Sequence, residues 1–409
     1  MRTRKHLKIF SVMVSVIMIL SSGTIAQAEK QASTQDEILQ ATITNTYNLI
    51  ESIYYDGPEN YGFDPSDLAN LSLGNKIQTF IVSDKKLKTT ESSLFPLFAG
   101  SKLIAHITTF YSGNTLESMI STELVNALSE YQGTAPYVIV YDCDGVQLVS
   151  KDNVYTIREY TYDERKDSII ALLQEPDFPI DNLLNSANDT DSFVLLDSVN
   201  YYCDDLHRDN QEGQINQYQS TEDIGITTSG PDNNLLDLFY RGTVTQGSGN
   251  VSLLVPKYNQ GQTNLCWAYS VASIGNYMYG SALYTGIQVA QALYGTNYNQ
   301  GACISDAMDT LYYLYPYYYA IGTGTLSESV LYDYLASGSP VYGHFSAGTT
   351  HNHAVVLRAM NTSTHYFSFM NPGTGVYAGT TNNAGSYAFS YNGLTWNLAS
   401  WGYYYYYYA

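Results

Sequence analysis

The sequence predicts an α+β protein in which a helical half precedes a sheet of antiparallel strands. Two observations carry that expectation. Between Cys266 and Ala336 apolar residues recur at helical spacing, and from Pro340 onward the period shortens to two, with Gly, Thr and Asn turns between the runs. A third observation divides the chain: from about Asp204 to Asn250 the text is rich in Asp, Asn, Gln, Ser and Gly, which suits an exposed junction. At 409 residues the chain exceeds the size at which one hydrophobic core usually stops growing, so two folded units are expected.

The first element is a targeting segment. Arg2, Arg4, Lys5 and Lys8 form a positive start, Ile9 to Leu20 is almost unbroken apolar sequence, and Ala26-Gln27-Ala28 is a small-x-small cleavage pattern. Export is therefore expected, with Glu29 leading the processed chain. No later run is long and apolar enough for a bilayer, so no stable membrane insertion is expected once the leader is removed. Residues 37–54 have helical spacing; 77–82, 103–110, 137–141 and 155–160 read as strands, and 115–131 as a second amphipathic helix.

Past the junction, 266–279, 286–294, 305–314 and 327–336 read as helices, and 340–345, 354–360 and 366–370 as successive strands. Tyrosine is abundant here, with LYYLYPYYYAIG at 311–322 and six in a row at 403–408. Rings with a polar tip suit substrate-lining or interface surfaces, but in so uncharged a domain general surface and core packing is the favoured reading, with the tail a final strand or a frayed end.

Charge is distributed unevenly. Of the formal net −20, residues 29–248 hold twelve Lys/Arg against 34 Asp/Glu, whereas 249–409 hold two cations, Lys257 and Arg358, and four acids. Neither part offers the basic face that phosphate binding needs, so no nucleic-acid partner is expected. Four cysteines at positions 143, 203, 266 and 303 are too scattered for a metal site or a disulfide scaffold, although Cys143 and Cys203 could pair.

The chemistry-bearing stretch is NQGQTNLCWAYS, residues 259–270. A thiol attacks an amide carbonyl as thiolate, and a cysteine at the first turn of a helix is expected to have a lowered pKa. A glutamine a short loop upstream can share the oxyanion with the cysteine's own N–H, and Gln260 and Cys266 have that spacing. The base must then be a histidine. Four follow Cys266, at 344, 351, 353 and 365; His353 is preferred because it opens the apolar run AVVLRAM, with His351 and His344 as alternatives. The run YFSFMN ends in Asn371 before Pro372-Gly373, so a hairpin would bring its carboxamide beside His353.

These motifs resemble the papain-like cysteine peptidase superfamily over roughly residues 250–400, in its compact secreted bacterial form. The resemblance implies Cys266 as nucleophile, Gln260 as oxyanion donor, His353 as base, Asn371 as its orienter, and Trp267 as an aromatic wall at the substrate. It also implies a polypeptide substrate, an extracellular or cell-surface location, and a cycle that needs no metal or organic cofactor. The expected organisation is then a signal peptide over 1–28, a separate acidic pro-region over 29–200 acting as intramolecular inhibitor, and a linker over 201–250 with a processing site. A papain-like domain over 251–402 and a Tyr-rich tail over 403–409 complete it. Three departures stand out. Thr263 replaces the family's cysteine three residues before the nucleophile, and Asn371-Pro372-Gly373 lacks the tryptophan that shields the Asn–His bond. His353 and Asn371 also follow Cys266 by 87 and 105 residues, against about 130 to 150 in the papain pattern.

Overall fold

A computed structural model describes residues 35–130, 137–159 except 152, 168–175, isolated positions between 178 and 196, 244–315 except 248, and 319–406. The leader and most of the 201–250 junction lie outside the described residues, as does Cys203. The α+β class holds: helices pack against large antiparallel sheets. No described helix is long and apolar enough to cross a membrane.

In the C-terminal part, helix Cys266–Tyr279 lies against the long strand His351–Asn361, flanked by Gly286–Tyr294 and Ile304–Leu314, and Glu328–Ala336 packs on strands Asn250–Leu253 and His351–Asn361. The first helix ends where Gly280 turns left-handed at φ 66°, satisfying carbonyls of the last turn. Thr285 and Gln288 close a capping box on the second, and Ser327 caps the last. Strands Val341–Ala347, His351–Asn361, Tyr366–Asn371 and Val376–Thr381 follow as an antiparallel meander. The Tyr-rich tail is sheet as far as it is described. Strand Leu394–Tyr406 pairs with Val341–Ala347 and, through Trp401–Tyr406, with Tyr319–Gly324; residues 407–409 lie outside the described residues.

Two expectations for the N-terminal part are corrected. Residues 115–131 are not one helix: strand Thr115–Ser121 precedes a short helix Val125–Glu130. A tight turn at Gly113-Asn114, with Gly113 at φ 61°, folds Thr115–Ser121 back on Lys102–Ser112 and pairs Ser112 with Thr115. Met119, Ile120 and Ser121 are then buried in succession, so the helix-like spacing reflects a strand covered on both faces.

Residues 35–121 also do not form a separate unit. Among the described residues, fourteen strands make one sheet in which Thr115–Ser121 pairs with Val376–Thr381, matching Ser121 to Ala378 and Met119 to Thr380. Leu49, Ile53 and Phe110 belong to the same apolar core as Trp267, Phe345 and Phe369. The physical cause is the edge of the C-terminal meander, whose unpaired N–H and C=O groups the N-terminal strand satisfies. Side chains lock the junction: the buried Glu117 carboxylate accepts from Thr381 Oγ1, from Asn383 N at 3.1 Å and from Ala384 N at 2.8 Å.

Deeper still is an ion pair between Arg358, 0 % exposed, and Asp56 at the end of the helix over 35–56. Arg358 Nη1 and Nη2 donate to the two Asp56 oxygens at 2.6 and 2.5 Å, and its other N–H groups go to Ser252 Oγ, Ser368 Oγ and the Leu253 carbonyl. The guanidinium lies 4.1 Å from the Tyr377 ring centroid. Burial alone would raise the Asp56 carboxyl, but the charge of Arg358 and the hydrogen bonds hold it below its ordinary value.

A second sheet of five described strands runs Lys86–Thr89, Thr79–Ser83, Tyr137–Tyr141, Gly145–Ser150, Val154–Glu159. Its last strand stands beside the C-terminal helix start and positions one wall of the site.

Candidate active site

Cys266 is the first residue of its helix, after Leu265, which offers no side-chain cap, so backbone N–H groups of the first turn face the cleft. The backbone N–H groups of Ala354, Trp267 and Cys266 itself favour the thiolate, but burial outweighs them and holds the thiol above its ordinary value, contrary to the lowering expected from the helix start alone. Ala354 directly follows His353, so sulfur and imidazole occupy neighbouring positions on one cavity of about 520 Å³, which Gln260 and Trp267 also line.

His353 is 5 % exposed, and its Nε2 lies 2.7 Å from Asn371 Oδ1. A carboxamide oxygen only accepts, so Nε2 carries the hydrogen and Nδ1 keeps a lone pair able to take a proton. Asn371 is the last residue of its strand, and the same Oδ1 accepts the Gly373 N–H at 2.9 Å, which fixes the amide's orientation. Burial depresses the His353 pKa to about 4; the Asn371 bond works against it and the positive charge of Arg158 works with it. Both thiol and imidazole are thus neutral at rest near pH 7.

The alternative histidines are placed differently. His344 Nε2 meets Asn352 Oδ1 at 3.2 Å, and His351 Nδ1 meets Thr350 Oγ1 at 2.8 Å; both line the cavity but lie nearer solvent. His365 pairs with Glu328 at 3.4 Å and is not among the cavity's lining residues.

The loop at Gln260 is held without a disulfide. Thr263 Oγ1 donates to the Gln260 carbonyl and Gln260 Nε2 donates to the Thr263 carbonyl, each at 2.7 Å. The Gln260 N–H reaches the Pro372 carbonyl at 2.8 Å, tying this loop to the Asn371 turn. Gln260 Nε2 keeps a second hydrogen for an acceptor in the cleft. Trp267 is 1 % exposed, its Nε1 donating to the Gln300 carbonyl at 2.9 Å, so it backs the wall behind the sulfur more than it meets solvent.

Aromatic rings from elsewhere in the chain cover the imidazole. Tyr391 stacks on the imidazole with centroids 4.8 Å apart and planes at 21°, and Trp396 stands at 5.5 Å. Both ride on the hairpin of Ala388–Tyr391 and Leu394–Tyr406, closed by Asn392-Gly393. That Asn-Gly turn was the signal in the sequence that could have placed them. Arg158 and Glu159, on the last strand of the five-stranded sheet, also line the cavity and carried no such signal.

Gly373 allows Tyr391 its position: a Cβ there would sit 2.0 Å from the Tyr391 hydroxyl and 3.2 Å from Asn371 Oδ1. Gly373→Ala should therefore push Tyr391 off the imidazole. The imidazole proton resonances of His353 should then lose the ring-current shift of the stacked Tyr391, with little change in melting temperature. Unchanged resonances in a folded variant would show that the turn accommodates the added methyl.

Neither a scan against protein-family models nor a search of curated proteins finds a match to this chain.

Proposed function

We propose that the protein is a cysteine peptidase of papain-like design, exported with removal of its leader. The observation that carries this reading is the His353–Asn371 bond at the edge of the cavity that Cys266 enters from a helix start. His353 Nδ1 takes the thiol proton as sulfur attacks the substrate carbonyl, which suits a resting pair in which both groups are neutral. The oxyanion is received by the Cys266 N–H and the second Gln260 Nε2 hydrogen. His353 then protonates the departing amine, and afterwards it draws a proton from the water that hydrolyses the thioester. The leader pattern at 1–28 supports export.

Iodoacetamide labelling of the full chain, read by mass spectrometry, tests the site. Cys266 should label faster than the exposed Cys303, and His353→Ala should slow Cys266 without affecting Cys303. Equal, His353-independent labelling of the two would defeat the reading. Casein hydrolysis set against hydrolysis of peptidoglycan stem peptides then separates a general endopeptidase from a cell-wall amidase.

A further inference from the structure

One wall of the cleft comes from a part of the chain that the resemblance does not cover. Among the described residues, strand Val154–Glu159 is the outermost of the five-stranded sheet and pairs with Gly145–Ser150. Its Arg158 carries its guanidinium 5.1 Å from the Tyr391 ring centroid, and Tyr391 in turn stacks on His353. The guanidinium is held from both sides, by the Glu123 carboxylate and by Asn392 Oδ1, the residue after Tyr391. Next to it Glu159 accepts from Gln262 Nε2 at 2.9 Å, so the strand also grips the loop between Gln260 and Cys266. The strand walls the cavity without filling it: about 520 Å³ stays open in front of Cys266 and His353.

We propose that Arg158, supplied by the five-stranded sheet, is a positioning residue for His353, holding Tyr391 flat against the imidazole and setting a fixed positive charge on that wall of the cleft. The proposal rests on the reading of His353 as base. Its consequence is that residues 154–159 belong to the working site and stay with the active enzyme.

The chemistry gives the role a signature. The other charged or titratable groups lining the cavity with His353 are the Cys266 thiol from the helix, Glu159 from the N-terminal part, His344 and His351 from the hairpin strands, and the Tyr342 and Tyr391 phenols, with Glu123 behind Arg158. The imidazole acts only while neutral, so the rate falls on the acid side as it takes a proton. A nearby cation disfavours that proton. Removing the cation therefore makes the imidazole easier to protonate, and the acid limb moves to higher pH. A residue with only a structural role would lower the rate at every pH and leave the limb in place.

The test is the rate of iodoacetamide alkylation at Cys266 in the full chain as a function of pH, with Cys303 as internal reference. Arg158→Met should lower the plateau about tenfold, as misplacement of a base does, and move the acid limb upward by about one pH unit. Arg158→Lys keeps the charge but loses the flat, two-sided grip. Its plateau should fall while its limb stays near that of the wild type. Glu123→Gln uncovers the Arg158 charge and should move the limb the other way, to lower pH, which gives a reading even if Arg158→Met fails to fold. A limb that stays put in both Arg158→Met and Glu123→Gln, or in Glu123→Gln alone if Arg158→Met does not fold, overturns the proposal. Failure of the peptidase reading is distinct, because it would appear in the wild type as no preference for Cys266 over Cys303.

Discussion

Cys266→Ala is expected to abolish peptide hydrolysis, with kcat falling by about a million-fold if the sulfur acts in one unit with its base. The substitution keeps Cβ at the helix start and removes a single half-buried atom, and the helix itself is anchored elsewhere. Trp267 is tied to Gln300, and Ala268, Val271, Ala272 and Ile274 are buried against the sheet. The melting temperature should therefore shift by no more than a few degrees, consistent with loss of about 1 kcal/mol or less. Hydrolysis of casein and thermal unfolding of the same preparation check both halves. A folded Cys266→Ala variant that still cleaves would remove the nucleophile from consideration, and Cys303, exposed at the end of another loop, offers no comparable surroundings.

The second large effect is one of stability. Asp56→Ala leaves the Arg358 guanidinium without a counter-charge at 0 % exposure and strips partners from Ser252 and Tyr61. Breaking a buried pair from one side costs about 3–5 kcal/mol, whereas replacing both partners by apolar groups of similar volume is often close to neutral. Asp56→Ala should therefore lower the urea midpoint of the full chain far more than the double variant Asp56→Leu with Arg358→Met. A single-variant loss under about 1 kcal/mol, the scale of an exposed pair, would mean that the guanidinium finds water there. The pH dependence follows from the Asp56 carboxyl being held below its ordinary value. Its contribution is complete above the unfolded carboxyl's pKa of about 3.9, and it is lost as the pH falls through the lower folded value.

Much of the site is legible in the chain because its signals are local. Cys266 opens a helix at the residue where the apolar period begins, and the helix ends at Tyr279 before Gly280, as the pattern predicts. The run to Asn371 and the stop at Pro372 bring the carboxamide to His353 through one hairpin. The direction of the thiol's shift was not legible, because the helix start can be read from sequence while the burial that overrides it is a property of the assembled cleft.

The rest depends on distant pairings. Nothing near Ser121 announces Ala378 as its strand partner, and the alternation that would reveal a half-exposed strand is absent where both faces are covered. Arg358 reads as a stray cation in the run AVVLRAM until Asp56 is brought to it across the fold. Arg158 is equally silent, since its meaning lies in a ring more than 200 residues further along the chain.

The single sheet running through both parts bears on how the chain can be shortened. A fragment beginning after the acidic junction would be born with Val376–Thr381 as a bare border, its amides and carbonyls open to any extended peptide. It would also carry a guanidinium folded into oil with no carboxylate to meet it. Such a truncation invites self-association between copies before it yields a soluble protein.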